Sequence, residues 1–154
     1  EYTINAALQS KYINKENLYV NTDFDKVIDI AKKRNIQVIE RPSHLAGDKV
    51  WTQPVINHTD DELGGLDDED IIVILQANSP QITTEKIDEC IDMLINNDLF
   101  EVHTIDSTMI NNGAIQVIKR KVRKQQGKVC YNGVVMADWI DVHTIEDINK
   151  IGEL

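Results

Sequence analysis

Polar residues that end apolar runs are where this chain offers chemistry first. Asp70-Ile71-Ile72-Val73-Ile74-Leu75 breaks into Gln76-Ala77-Asn78-Ser79-Pro80. In open α/β sheets ligands collect beyond the carboxyl ends of strands, which makes residues 76–81 a candidate site. An ordinary strand-to-helix turn accounts for the same letters equally well. Arg41 closes the short β-prone run 37–40, and a guanidinium fork suits oxyanions, although a surface arginine is the ordinary reading. Acids at 60–62 and 67–70 flank Gly64-Gly65 but lack the alternating ligands and closing glutamate of a calcium loop, so a solvated connector is expected there. Cys90 and Cys130 have no paired spacing and read as reduced thiols. His44, His58 and His103 share no ligand-like spacing. Lys119, Arg120, Lys121, Arg123, Lys124 and Lys128 form a basic cluster that could meet an anion, but a solvated face is the simpler account.

The elements that must hold these residues follow from periodicity. The run 71–75 reads as a strand buried on both faces, as in the middle of a parallel sheet. A helix follows, capped by Thr84, with Ile87, Cys90, Ile91, Leu94 and Ile95 on one stripe. Upstream, Ile4, Ala7 and Leu8 suggest a helix over 2–10, and residues 17–21 a strand. Thr22-Asp23-Phe24-Asp25 has a capping-box pattern, and Phe24, Val27, Ile28 and Ala31 recur at helical spacing. Capping alone explains Asp23, which is not read as catalytic. A helix or turn region runs from Trp51 to about Leu63, with Pro54 near its start. Strands are expected at 100–104 and 111–118, and a last helix capped by Thr144 and Asp147. Alternation of strand and helix predicts an α/β fold with a parallel sheet and right-handed crossovers.

Composition bounds the function. The 154 residues, 42% of them apolar, suit one domain with a substantial core. Sixteen Lys and Arg against 26 Asp and Glu give a net charge of −10, the wrong sign for wrapping a nucleic-acid backbone. No apolar run approaches membrane-spanning length and no signal-peptide pattern opens the sequence, so neither nucleic acid nor membrane is an expected partner and a cytoplasmic location is expected. No methionine opens it either, and residues 1–8 already read as the inside of a helix, as though the sequence starts late.

Several segments, in order, resemble the acylneuraminate (CMP-sialic acid synthetase) cytidylyltransferases. Leu75-Gln76-Ala77-Asn78-Ser79-Pro80 is similar to that family's Leu-Gln-x-x-Ser-Pro, Asn21-Thr22-Asp23 to its Ser-Thr-Asp, and Arg41-Pro42-Ser43-His44-Leu45-Ala46-Gly47-Asp48 to its Arg-Pro-x-x-Leu-Ala-x-Asp. Asn112-Gly113-Ala114-Ile115 resembles its Asn-Gly-Ala-Ile-Tyr-Ile strand, with Gln116 where tyrosine is usual. Ile140-Asp141-Val142-His143-Thr144 resembles its Ile-Asp-Ile-Asp-Thr, with His143 in place of the second aspartate. The resemblance implies a Rossmann-like, mainly parallel sheet with helices on both faces, of the nucleotide-diphospho-sugar transferase type, and a single domain over 1–154 without the family's N-terminal phosphate-loop strand. It implies transfer of CMP from CTP to an acidic, sialic-acid-like sugar with release of pyrophosphate. Arg41, Thr52 and Gln76 would contact the nucleotide, an amide being able to donate to and accept from a base edge. Asn112 and Gly113 would line the sugar. Asp141 would be catalytic and hold Mg2+, with His143 at the second ligand position. The resemblance also implies a homodimer, but the tens of residues that carry the family's dimerisation arm between 105 and 111 are missing here. A non-catalytic nucleotide- or partner-binding relative, and a same-fold transferase for another nucleotide sugar, are the alternative readings.

Overall fold

A computed structural model describes residues 1–47, 49–123 and 130–152, so Asp48, Lys124 and Lys128 of the motifs above lie outside the described residues. The elements run α1 (Tyr2–Gln9), β1 (Tyr19–Thr22), α2 (Asp25–Lys33), β2 (Gln37–Glu40), a 3-10 turn (Ser43–Leu45), α3 (Thr52–Leu63), β3 (Ile71–Leu75), α4 (Thr84–Asn96), β4 (Glu101–Ile105), β5 (Asn111–Lys119), a 3-10 turn (Arg120–Val122), β6 (Asn132–Met136) and α5 (Ile145–Ile151). The chain is α/β and divides into two compact units, residues 13–67 and residues 1–12 with 68–154.

In the smaller unit β1 and β2 pair in parallel, Tyr19 opposite Gln37 through Thr22 opposite Glu40. Helix α2 joins them and packs on both, which is the β-α-β connection that the alternation predicts. The expected capping box at Thr22 does not form. Phe24 occupies the N-cap position without a side-chain bond, and the Thr22 hydroxyl instead accepts from the Phe24 amide at 3.1 Å, closing a tight turn.

The larger unit holds a four-stranded mixed sheet in the order β3-β5-β4-β6. β5 runs antiparallel to both β3 and β4, and β6 parallel to β4, so β3, β4 and β6 share one direction and β5 alone is reversed. β3 is the outer strand, with all five residues only half-buried, which corrects the expectation of a strand enclosed on both faces. An apolar β-branched run specifies extended backbone but not its place in the sheet. The centre belongs to β4 and β5, where Val102, Ile115 and Val117 are fully buried. Helix α4 covers β4, β5 and β6 through Ile87, Cys90, Ile91 and Leu94, as the stripe predicts, and α1 packs on α4. Its cap is Thr83, one residue before the expected Thr84; the Thr84 hydroxyl donates instead to the Ala6 carbonyl at 2.9 Å, tying α1 to α4. Cys90 sits inside this layer, where burial pushes its thiol up to about 12, and Cys130 is exposed and unpaired.

The basic cluster is only partly a solvated face. Lys119 ends β5 opposite Ile71 and is buried, with Nζ 2.5 Å from the Asp98 carboxylate and Glu69 also near, and Arg123 is buried too. Their charges are spent within the fold rather than offered to an anion.

Candidate active site

Because β3, β4 and β6 point the same way, their carboxyl ends and the start of β5 meet at one end of the sheet. The loop after β3 leaves from there. The Gln76 amide N–H donates to the Ala114 carbonyl of β5 at 3.0 Å, and successive turns, Ser79 N–H to Gln76 O and Ile82 N–H to Ser79 O, bury Ser79 and curl the loop towards α4. Gln76 is thereby seated beside Asn112 and Gly113.

Those two residues are held by backbone geometry. Gly113 has φ +70, in the left-handed region that costs a side chain strain, and open space where a Cβ would stand. Its N–H donates to Asn111 Oδ1 at 2.8 Å. The Asn112 amide spans three segments: Oδ1 accepts from the Thr104 hydroxyl of β4 at 2.6 Å and from the Ala114 N–H at 3.1 Å, and Nδ2 donates to the Ala137 carbonyl after β6 at 2.6 Å. With both ends of its amide engaged inside the protein, Asn112 braces the strand starts. Between β4 and β5 the chain turns tightly, the Asp106 carboxylate accepting from the Thr108 and Ile110 amides. Gln116, in the usual tyrosine's place, donates from Nε2 to Glu101 at 2.7 Å.

After β6 the chain returns across the same end. The Ile140 N–H donates to Gln81 Oε1 at 2.9 Å and the Val142 N–H to the Asn78 carbonyl at 2.8 Å, so an extended segment lies along the loop after β3. Backbone bonding at 140 and 142 turns the side chains of 141 and 143 to the same side. Asp141 Oδ2 and His143 Nε2 accordingly meet at 2.8 Å, both exposed to solvent. The predicted capping box then forms in full: Asp147 accepts from the amides of His143 and Thr144 while its own N–H donates to the Thr144 hydroxyl. Lys150 first, and then these amide donors, hold the Asp147 carboxyl far below the usual carboxylate range. Asn78 and Gln81, which carry this docking, lie inside the loop singled out from sequence, but only tertiary contact reveals their part.

In the smaller unit Arg41 follows β2. Its N–H donates to the Thr22 carbonyl at 2.9 Å, extending the parallel ladder by one residue. Its guanidinium is clamped by Asn21, Nε donating to Oδ1 at 2.8 Å and Nη2 to the Asn21 carbonyl at 2.9 Å. Asn21 is oriented in turn by donating to the Thr59 hydroxyl of α3 at 2.8 Å. Sequence reasoning had missed Asn21 as a positioning residue; the signal was an amide at the end of the strand next to Arg41's own. Thr52 is exposed as the first residue of α3, after an N-cap, Trp51, that makes no side-chain bond.

The structure thus brings Gln76, Asn112, Gly113, Asp141 and His143 to one end of the larger unit's sheet, while Arg41 and Thr52 belong to the smaller unit. A cleft of about 310 Å³ among Tyr2, Ala77, Asn78, Pro80, Val142 and Ile148 adjoins the former group. One carboxylate with substrate phosphates is enough to hold a magnesium ion, so Asp141 fits that cation; the imidazole of His143 does not favour it. No group of three His, Cys, Asp or Glu that could hold a metal occurs among the described residues. No helix among the described residues is long and apolar enough to cross a membrane.

Comparison with known proteins bears on this arrangement. The chain is 25% identical over 120 residues to the N-acylneuraminate cytidylyltransferase of Streptococcus agalactiae serotype III (strain NEM316), covering 78% of this chain and 28% of that protein. It is 28% identical over 101 residues to the protein of the same name from serotype V (strain ATCC BAA-611 / 2603 V/R), covering 66% of this chain and 24% of that protein. The chain therefore spans under a third of the length of these relatives. The family described as Cytidylyltransferase matches residues 1–133. That match takes in the loops after β2 and β3 and the start of β5, and the chain belongs to the cytidylyltransferase family.

Proposed function

We propose that this chain contributes to transfer of CMP from CTP to an acidic, sialic-acid-like sugar. A hydroxyl oxygen of the sugar attacks the α-phosphorus of CTP and releases its proton to solvent, the new O–P bond forms as the bond to the β-phosphate bridging oxygen breaks, and pyrophosphate leaves with that electron pair. Such chemistry is mainly positioning and charge neutralisation. The observation that carries the reading is the docking of the Asp141 segment along the loop after β3 through Asn78 and Gln81, which sets a carboxylate next to the loop bearing Gln76. In this reading the Gln76 amide holds the base, Arg41 and Thr52 contact the nucleotide, and Asn112 and Gly113 shape the sugar side. Asp141 would hold a divalent cation such as Mg2+, which would neutralise phosphate charge and lower the pKa of the attacking hydroxyl.

The clamp on Arg41 supports its role, since a guanidinium already oriented loses little freedom on meeting a phosphate. A second reading, a relative that binds a nucleotide without turning it over, is favoured by His143 occupying the Asp141 carboxylate and by the tight turn between β4 and β5. Release of pyrophosphate from CTP and an acidic 2-keto sugar separates the two. Turnover supports the first reading, CTP binding with no pyrophosphate supports the second, and turnover with a different nucleotide alone removes cytidine from both.

A further inference from the structure

We infer that Asp141 and His143 form a two-donor clamp for a borderline divalent cation such as Co2+, which they hold in preference to Mg2+. The inference rests on the reading of this segment as the cation-bearing part of a nucleotide site, and concerns which ion that site selects.

Two donors each about 2.1 Å from one cation and at right angles to each other lie roughly 3.0 Å apart. Oδ2 of Asp141 and Nε2 of His143 are 2.8 Å apart, so an ion replaces their mutual hydrogen bond with only a small movement. The backbone that carries them is fastened on both sides. Ile140 and Val142 donate into the loop after β3, and the amides of His143 and Thr144 donate to the Asp147 carboxylate. Few rotations are left for binding to freeze, and the side chains are exposed, so an ion can enter with water and phosphate oxygens completing its shell.

Selectivity follows from the donor set. Mg2+ is hard, prefers oxygen and gives up water reluctantly. An imidazole nitrogen adds little for it, whereas a borderline ion such as Co2+ accepts nitrogen and oxygen together. Each ion has to displace the same hydrogen bond, and only the borderline ions regain both partners.

The test uses the full chain with Co2+ as probe and no nucleotide present, so it does not depend on which nucleotide or sugar is turned over. Histidine ring resonances are followed during a Co2+ titration at neutral pH, and Co2+ is then competed with Mg2+. Large paramagnetic shifts of the His143 ring, with His44, His58 and His103 unmoved, are expected, together with persistence of those shifts under at least a tenfold excess of Mg2+. His143→Asp should lower the ratio of Co2+ to Mg2+ affinity about tenfold or more, and Asp141→Asn should weaken both ions. A His143 ring that Co2+ leaves unshifted, or an affinity ratio unchanged in His143→Asp, overturns the inference. If pyrophosphate is nonetheless released from CTP in that case, the catalytic reading stands without it; clamp binding with no CTP chemistry leaves the inference and removes the reading.

Discussion

Arg41 is bonded twice by a single neighbour, and that clamp gives the residue scale its sharpest prediction. A lysine at 41 keeps the charge but cannot reproduce a planar fork held by Asn21, so Arg41→Lys should weaken CTP binding roughly tenfold, in line with about 1.5 kcal/mol for one charged hydrogen bond. Asn21→Ala should give a smaller loss in the same calorimetric titration, because the backbone carbonyl partner remains. An Asn21→Ala loss as large as that of Arg41→Lys would mean that Asn21 touches the nucleotide itself. At 143, His143→Asp restores a second carboxylate beside Asp141 and should raise Mg2+-dependent pyrophosphate release several-fold. A rate equal to or below that of the parent would place His143 away from the metal. Arg41 was legible in sequence as an arginine at a strand end, and Asp141 and His143 only through the resemblance of their segment, but neither clamp was. A partner for Arg41 on the preceding strand appears only when the β1–β2 register sets Asn21 opposite Ile39, two residues before Arg41 and within reach of its guanidinium.

Elements supply the rigidity that these residues depend on. Gly133 in β6 faces α4, where an added Cβ would lie 2.7 Å from Leu99 Cδ1 and from Met93 Sδ. Gly133→Ala should therefore destabilise the fold by about 1–3 kcal/mol, lowering the thermal midpoint by roughly 2–4 °C for each kcal/mol, as read by scanning calorimetry. The partial ability of those side-chain ends to shift places the value towards the lower limit. The last helix carries a pH signal. Folded Asp147 stays ionised where an unfolded aspartate, with pKa about 3.9, has taken up its proton, so its contribution is complete above that value and is lost as pH falls further. Amide protection across α5, corrected for intrinsic exchange, should decline between about pH 4 and pH 2, and in Asp147→Asn it should be low and nearly flat over that range. The elements themselves were largely readable from periodicity. Caps were readable to within a residue, because threonines at neighbouring positions compete for one N-terminus and packing selects between them, as Thr83 and Thr84 show.

Over the whole molecule, burial is uneven. Among the described buried apolar residues only Ala31, Ile36 and Ile56 lie in 13–67, whereas 68–154 holds the fully buried layer of Ile87, Leu94, Val102, Ile115 and Val117. Hydrogen exchange should accordingly be slowest in β4 and β5 and faster in β1 and β2, since local opening exposes less apolar surface there. Equal protection in both units would show that the smaller one draws its stability from something other than its own core. The net charge of −10 belongs to this scale as well, and the chain should show no salt-sensitive retention on duplex DNA.

Sequence alone determined the α/β class, the order of its elements apart from β6, and the loops after its strands as places to look for a ligand, because hydrophobic period and turn chemistry are local properties of the chain. Tertiary structure decided that β3 lies outside β5 in the larger unit's sheet and that Asn112 braces strands instead of facing solvent. It also decided that Asp141 is brought to the loop of Gln76 by backbone bonds to Asn78 and Gln81. Those outcomes turn on pairing between residues far apart in sequence, where several registers satisfy the same local pattern and only the packed arrangement distinguishes them.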